Sequence, residues 1–118
     1  MSKSILKDKS YQFAIRIVKL SQYLTSIKKE FVISKQTLRS GTAIGALIRE
    51  AEFAQSNSDY IHKFSIALKE ANETGYWLDL LKDTDFIDVT LYDGLCCESK
   101  ELVAMLVSTI KTLKNKNL

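Results

Sequence analysis

The chain has 118 residues, of which 46% are hydrophobic and 26% charged, with no proline, four glycines and a net charge of +3. That length fits one domain over residues 1–118, and the balance excludes a disordered or collagen-like chain. No apolar run approaches the ~20 residues that cross a bilayer, and the opening Met1-Ser-Lys-Ser-Ile-Leu-Lys-Asp8 lacks a signal-peptide pattern, so a cytoplasmic protein without membrane contact is expected.

The charge is sorted along the chain. Met1 to Arg49 holds ten basic and two acidic residues, a local +8, whereas Glu50 to Glu98 holds three basic and eleven acidic ones, a local −8. The tail from Ser99 returns to +3. Such asymmetry points to charged partners or to charged self-contacts.

Few breakers favour long helices. In the first, about 5–29, Phe13, Ile17, Leu20, Leu24, Ile27 and Phe31 recur at spacings of four and three, the seam of a packed helix. Lys9, Gln12, Arg16, Lys19 and Tyr23 form a basic stripe beside it, and Lys28, Lys29 and Lys35 extend the positive field. A solvated face is the commoner meaning of such a stripe, and an acidic helix or an anionic partner the sharper one.

Ser34 reads as the N-cap of a second helix, about 35–55, with Leu38, Ile44, Leu47, Ile48 and Ala51 inward. Gly41, Ala43, Gly45, Ala46, Ala51 and Ala54 make it rich in small residues, which predicts a close helix contact on that face. Arg39, Ala43, Ala46 and Glu50 share one stripe. Arg39 and Glu50 stand about 16 Å apart along the axis, so each needs a partner from another helix, another subunit or solvent. Ser40 lies beside Arg39 on the same helix.

Ser56-x-x-Asp59 is a capping-box pattern that opens a third helix, about 58–82, with Phe64, Leu68, Ala71, Tyr76, Trp77, Leu78 and Leu81 as core candidates. Thr90-x-x-Asp93 repeats the pattern before a fourth, about 91–114, where Leu91, Leu95, Leu102, Leu106, Thr109 and Leu113 face inward. Four helices with short connections predict an all-α, up-down-up-down antiparallel four-helix bundle.

Chemistry is sparse. His62 is the only histidine, whereas a di-iron bundle needs two histidine motifs and more carboxylates. The dozen residues before it contain no arginine, which excludes the Arg–His motif of helical nucleases. Glu70 and Glu73 share a face at i, i+3 and read more simply as a salt-bridged surface than as an acid–base pair. Cys96 and Cys97 are adjacent and read as reduced thiols. Neither enzymatic activity, cofactor nor metal is expected.

Several segments together resemble one family. They are Ser10-x-x-Phe13-Ala-x-Arg-Ile-Val18, Gln36-Thr-Leu-Arg-Ser-Gly-Thr-Ala-Ile-Gly-Ala46, Glu50-Ala51, Ser56-Asn-Ser-Asp-Tyr-Ile-His-Lys63, Ala67-Leu-Lys-Glu-Ala-Asn-Glu-Thr-Gly-Tyr-Trp-Leu78 and Glu101-Leu102. They are similar to the bacterial 23S rRNA-intervening-sequence proteins, related to the accessory subunit of diversity-generating retroelements, across nearly the whole chain. The resemblance implies a homopentameric ring of bundles, and an association with RNA in some branches. The chain departs from the family at Ala43 and Leu47, where Ser and Asn are usual, which removes two polar groups from the second helix.

The expectation is therefore a homo-oligomeric, non-enzymatic protein that contacts RNA or DNA phosphates through Lys9, Arg16, Lys19, Lys28, Lys29, Lys35, Lys111 and Lys114. Arg39, Ser40, Glu50, Ser56, Asp59, Glu70, Glu73 and Trp77 are candidates for structural or subunit contacts. The alternative is a protein–protein adaptor whose charge asymmetry serves self-assembly or a partner protein.

Overall fold

A computed structural model of the protein describes residues 2–116. Among them are four α-helices and no strand: α1 Ser2–Ser26, α2 Val32–Ala51, α3 Asn57–Asp83 and α4 Val89–Lys116. The described residues span 49 × 22 × 20 Å, and helices of 25 and 28 residues account for roughly 37–42 Å of the long dimension. Each helix packs on two others in the cycle α1, α2, α3, α4, and the backbones of the diagonal pairs do not approach closely. No described helix is long and apolar enough to cross a membrane.

The core follows the heptad seams. Leu6, Ser10, Phe13, Ile17, Leu20 and Leu24 of α1 are buried at alternating spacings of four and three. Phe64, Ala67, Ala71, Thr74, Leu78 and Leu81 of α3 repeat that rhythm, and Leu95, Ser99, Leu102, Leu106 and Ile110 come from α4. The inward line of α2 is different. It reads Ser34, Thr37, Ser40, Gly41, Ile44, Ile48 and Ala51, small and partly polar over its first half.

Each buried hydroxyl on that line has a partner. Ser34 and Ser21 share a hydrogen bond of 3.0 Å, and Thr37 donates to the Ile33 carbonyl at 2.8 Å. Thr74 Oγ1 lies 2.9 Å from Ser40 Oγ and 2.7 Å from the Glu70 carbonyl oxygen. No buried side-chain nitrogen or oxygen among the described residues lacks a partner, so the polar seam avoids the cost of unsatisfied groups.

Glycine on this line lets α1 and α2 approach closely, as the small-residue pattern predicted. A Cβ at Gly41 would stand 2.8 Å from Ile17 Cγ2 and 2.9 Å from Cγ1. Those atoms belong to a β-branched side chain with little rotamer freedom, so the helices themselves would have to part.

Several boundaries and core positions differ from the sequence reading. The first seam stops at Leu24. α1 ends at Ser26 rather than Lys29 because Lys29 turns to φ 56° and the Glu30 N–H donates to the Leu24 carbonyl at 2.9 Å. The turn expels Ile27 and Phe31, which are 67% and 60% exposed. Ser34 is not the cap of α2. The helix begins earlier, and the Glu30 carboxylate accepts from the amides of Val32, Ile33 and Ser34 at 3.1, 3.0 and 2.7 Å. α2 ends at Ala51, not Gln55, because its last amides tighten onto carbonyls three residues back before the chain turns extended at Ser56.

Ser56 does cap α3, accepting from the Asp59 amide at 3.1 Å, while Asp59 accepts from the Gln55 amide at 3.1 Å. Thr90 and Asp93 do not cap α4. Asp88 does, accepting from the Leu91 amide at 2.8 Å. Tyr76 is not core but 58% exposed.

Within the bundle, the acidic helix that α1 borders is α4, while α2 borders α3.

Gly41→Ala is expected to destabilise the bundle by about 1–3 kcal/mol through overpacking against Ile17. Gly75→Ala, where a Cβ meets nothing within 4 Å, is expected to stabilise it by about 0.5–1 kcal/mol through helix propensity. Urea unfolding of the two variants beside the wild type checks both signs.

Candidate nucleic-acid interface

The basic stripe of α1 runs along the α1–α4 seam, and two of its three basic residues are paired there. Lys9 reaches Glu101 at 3.2 Å and Arg16 reaches Glu98 at 2.8 Å. Gly94 makes room for the Arg16 guanidinium, since a Cβ there would lie 3.2 Å from Nη2. Lys7 extends the pattern by pairing with Glu52 at 2.6 Å.

Lys19 has no carboxylate partner among the described residues and lines a shallow depression with Arg16, Leu20, Tyr23, Leu91 and Leu95. Lys28 rests 6.0 Å from the centre of the Tyr23 ring. Lys29 and Lys35 are exposed beside the α1–α2 turn. Glu30, the one acid between Lys9 and Arg49, faces the start of α2 as its cap.

Lys111 and Lys114 are exposed in the last turns of α4. Leu113 and Lys116 close against Asn57, Tyr60 and Ile61, which places the end of α4 beside the start of α3. The eight candidate residues therefore do not form one patch. Lys28, Lys29 and Lys35 lie at one end of the bundle and Lys111 and Lys114 at the other, separated by the 20 residues of α2, or about 30 Å.

Five of the polar candidates, Arg39, Ser40, Glu70, Glu73 and Trp77, gather separately on the α2–α3 face. Arg39 Nη1 donates to Glu70 at 3.2 Å, and Nη2 donates to Glu73. Trp77 Nε1 donates to Glu73 at 2.9 Å, and its ring meets Tyr76 edge-on at 5.1 Å. Ser40 and Thr74 lie just inside. The Trp77 N–H and then the Arg39 guanidinium hold the Glu73 carboxyl below its ordinary range, and Glu73 in turn raises Arg39. Arg39 thus finds its partner on the next helix of the same chain, as Glu50 does with Lys63 at 3.2 Å. Ser56 and Asp59 serve as the cap described above.

A second polar group was not legible in the sequence. The Tyr92 hydroxyl donates to Asp79 at 2.6 Å and receives the Cys96 thiol at 3.6 Å, while Lys82 Nζ lies 4.2 Å from the centre of its ring. The bond to Asp79 and then the Cys96 contact push the Tyr92 phenol up. Tyr92 and Cys96 are four apart on one helix face, a spacing that offered the only sequence signal. His62 is exposed, and no three metal-ligating side chains come together among the described residues.

A family model described as 23S rRNA-intervening sequence protein matches residues 2–108. The chain belongs to that family. No curated protein matches it. Its structure is similar to the crystal structure of a protein of unknown function from the S23 ribosomal protein family of Bacteroides thetaiotaomicron, at 55% identity and a TM-score of 0.93. The match covers 94% of this chain and 99% of that one. At the two positions where the chain departs from the usual family residues, Ala43 is half-buried and Leu47 packs partly buried against the core.

The single tryptophan reports on this network. Glu73 is depressed, so its contribution is present above the ordinary carboxylate value and lost as pH falls through the folded one. Trp77 emission is expected to change with a midpoint below 4.5, the ordinary value, and Glu73→Gln to abolish that transition. The variant is expected to lose less than about 1 kcal/mol at neutral pH, because solvent screens the pair.

Proposed function

We propose that this protein is a non-enzymatic building block, an up-down-up-down antiparallel bundle that assembles into a homo-oligomeric ring and binds RNA through lysines the bundle does not use. The observation that carries the RNA reading is the group Lys19, Lys28, Lys29 and Lys35, which has no ion pair among the described residues while Glu30 serves the backbone. Unpaired lysines release counterions when they meet phosphates. The family name adds weight to RNA as the nucleic acid.

The contact order supports the antiparallel course. Ile17 and Ser10 meet Gly41 and Gly45 in falling order along α1 as numbers rise along α2. Self-assembly is supported by the sorting of exposed charge, with surplus lysines on α1 and α2 and the exposed acids Asp83, Asp85 and Asp88 at the α3–α4 turn. Surfaces of opposite sign on one molecule suit a heterologous contact that closes into a ring, in the cytoplasm that the sequence suggests. The homopentamer implied by the family resemblance is the ring expected.

A protein adaptor is the second reading, favoured by a groove of about 520 Å³ between α1 and α2 lined by Tyr11, Ala14, Gly45, Ala46, Arg49 and Phe53. Phe53 is 84% exposed.

Light scattering is expected to give a mass of several chains, five for the proposed ring. Electrophoretic shifts with structured RNA are expected at low salt and to weaken steeply as salt rises. A stable oligomer that binds no RNA at low salt would leave the adaptor reading in its place.

A further inference from the structure

We infer that the α1–α2 turn is a binding site for unpaired bases of single-stranded RNA, with Phe31 as the stacking platform and Lys28, Lys29 and Lys35 as phosphate contacts. The inference rests on the RNA reading above and gives it a place and a substrate class.

Three apolar side chains stand out of the bundle at this turn: Ile27, Phe31 and Val32, which are 67%, 60% and 75% exposed. Ile27 and Phe31 continue the spacing of the α1 seam, yet the chain leaves the helix before they can be buried. Lysines flank them at positions 28, 29 and 35, without a carboxylate partner among the described residues. An aromatic face among separate cations is the equipment that single strands use, since every base offers a π-face and the backbone offers phosphates between bases. A duplex keeps its bases stacked away from such a ring.

The turn is also held in place. The Glu30 N–H bonds back to Leu24 at 2.9 Å, and the Glu30 carboxylate is locked onto three amides of α2. Its charge therefore points at the helix rather than at the lysines. Lys29 occupies the left-handed region at φ 56°, where glycine would sit with less strain. A lysine kept there projects a charge from a fixed backbone, and local strain of this kind clusters at functional positions.

A membrane surface is the rival for an apolar, basic tip. It fits less well, because Leu91 lies beside Tyr23, so the α3–α4 turn with exposed Asp83, Asp85 and Asp88 shares this end of the bundle. A flat anionic bilayer would meet those acids as well, whereas a strand can follow the α1–α2 corner alone.

The test is fluorescence anisotropy of the full chain at low salt with a labelled uridine strand of about ten nucleotides, a duplex of equal length, and vesicles of phosphatidylserine and phosphatidylcholine. Single-strand binding is expected to exceed duplex binding. Phe31→Ser is expected to weaken it about tenfold, the scale of one stacked base. Lys28→Gln with Lys35→Gln is expected to reduce the salt dependence by about two phosphate contacts. Lys29→Gly, which relieves the backbone, is expected to lose affinity while its melting temperature holds or rises, so a folding defect cannot explain the loss. Lys111→Gln with Lys114→Gln, at the far end, is expected to change single-strand binding by less than twofold. If the wild type binds RNA and only the far-end variant loses it, the site is wrong and the RNA reading stands. Equal affinity for duplex and single strand overturns the stacking role. Binding of vesicles but no RNA overturns both readings in favour of a membrane surface, and binding of none of the probes overturns both outright.

Discussion

The bundle depends on how closely α1 and α2 can approach. Ile17 sits where the side chain of residue 41 would be, so glycine at 41 sets the interhelical distance. Bulky residues on α1 then fill the space that the small line of α2 leaves, with Phe13, Leu20 and Leu24 buried beside Ile17. Small residues in α2 sacrifice helix propensity, by about 1 kcal/mol for each glycine, and recover it as packing contact. The hydroxyls of Ser34, Thr37 and Ser40 tolerate this dry seam because neighbouring hydroxyls and carbonyls satisfy them.

Once the cycle of helices is set, charge is distributed by adjacency. α1 borders α4, so Lys9 and Arg16 meet Glu101 and Glu98. α2 borders α3, so Arg39 meets Glu70 and Glu73, and Glu50 meets Lys63. Each pair is partly solvated and contributes little to stability, but together they decide which basic residues remain available. Those at the α1–α2 turn remain, because the nearby acid Glu30 caps a helix. The turn that truncates α1 thereby produces the exposed apolar residues, the unpaired lysines and the start of α2 in one step.

The helices and most of their inward faces were legible in the sequence, because a period of 3.6 repeated over 20 or more residues is hard to mistake. The capping pair Ser56 and Asp59 was legible for a similar reason, as both groups act within one turn. The α4 cap was less so, since Thr90 and Asp88 offer the same chemistry two residues apart. Ile27 and Phe31 kept the right spacing but fell beyond a helix end that no glycine or proline announced. Of the candidate basic residues, the sequence could group Lys9, Arg16 and Lys19 on one stripe, yet it carried no sign that Glu98 and Glu101, more than 80 residues later, would occupy two of them.

Sequence alone determined the all-helical bundle, its inward seams and the sorting of charge into a basic front and an acidic middle. These are local or additive properties, fixed by spacing and composition. Only the tertiary structure decided which charges meet, that α1 faces α4 rather than α3, and that Glu30 guards the start of α2 while its lysine neighbours stay free of carboxylates. The physical reason is range: periodicity acts over a few residues, whereas an ion pair across the bundle depends on where every turn reverses the chain.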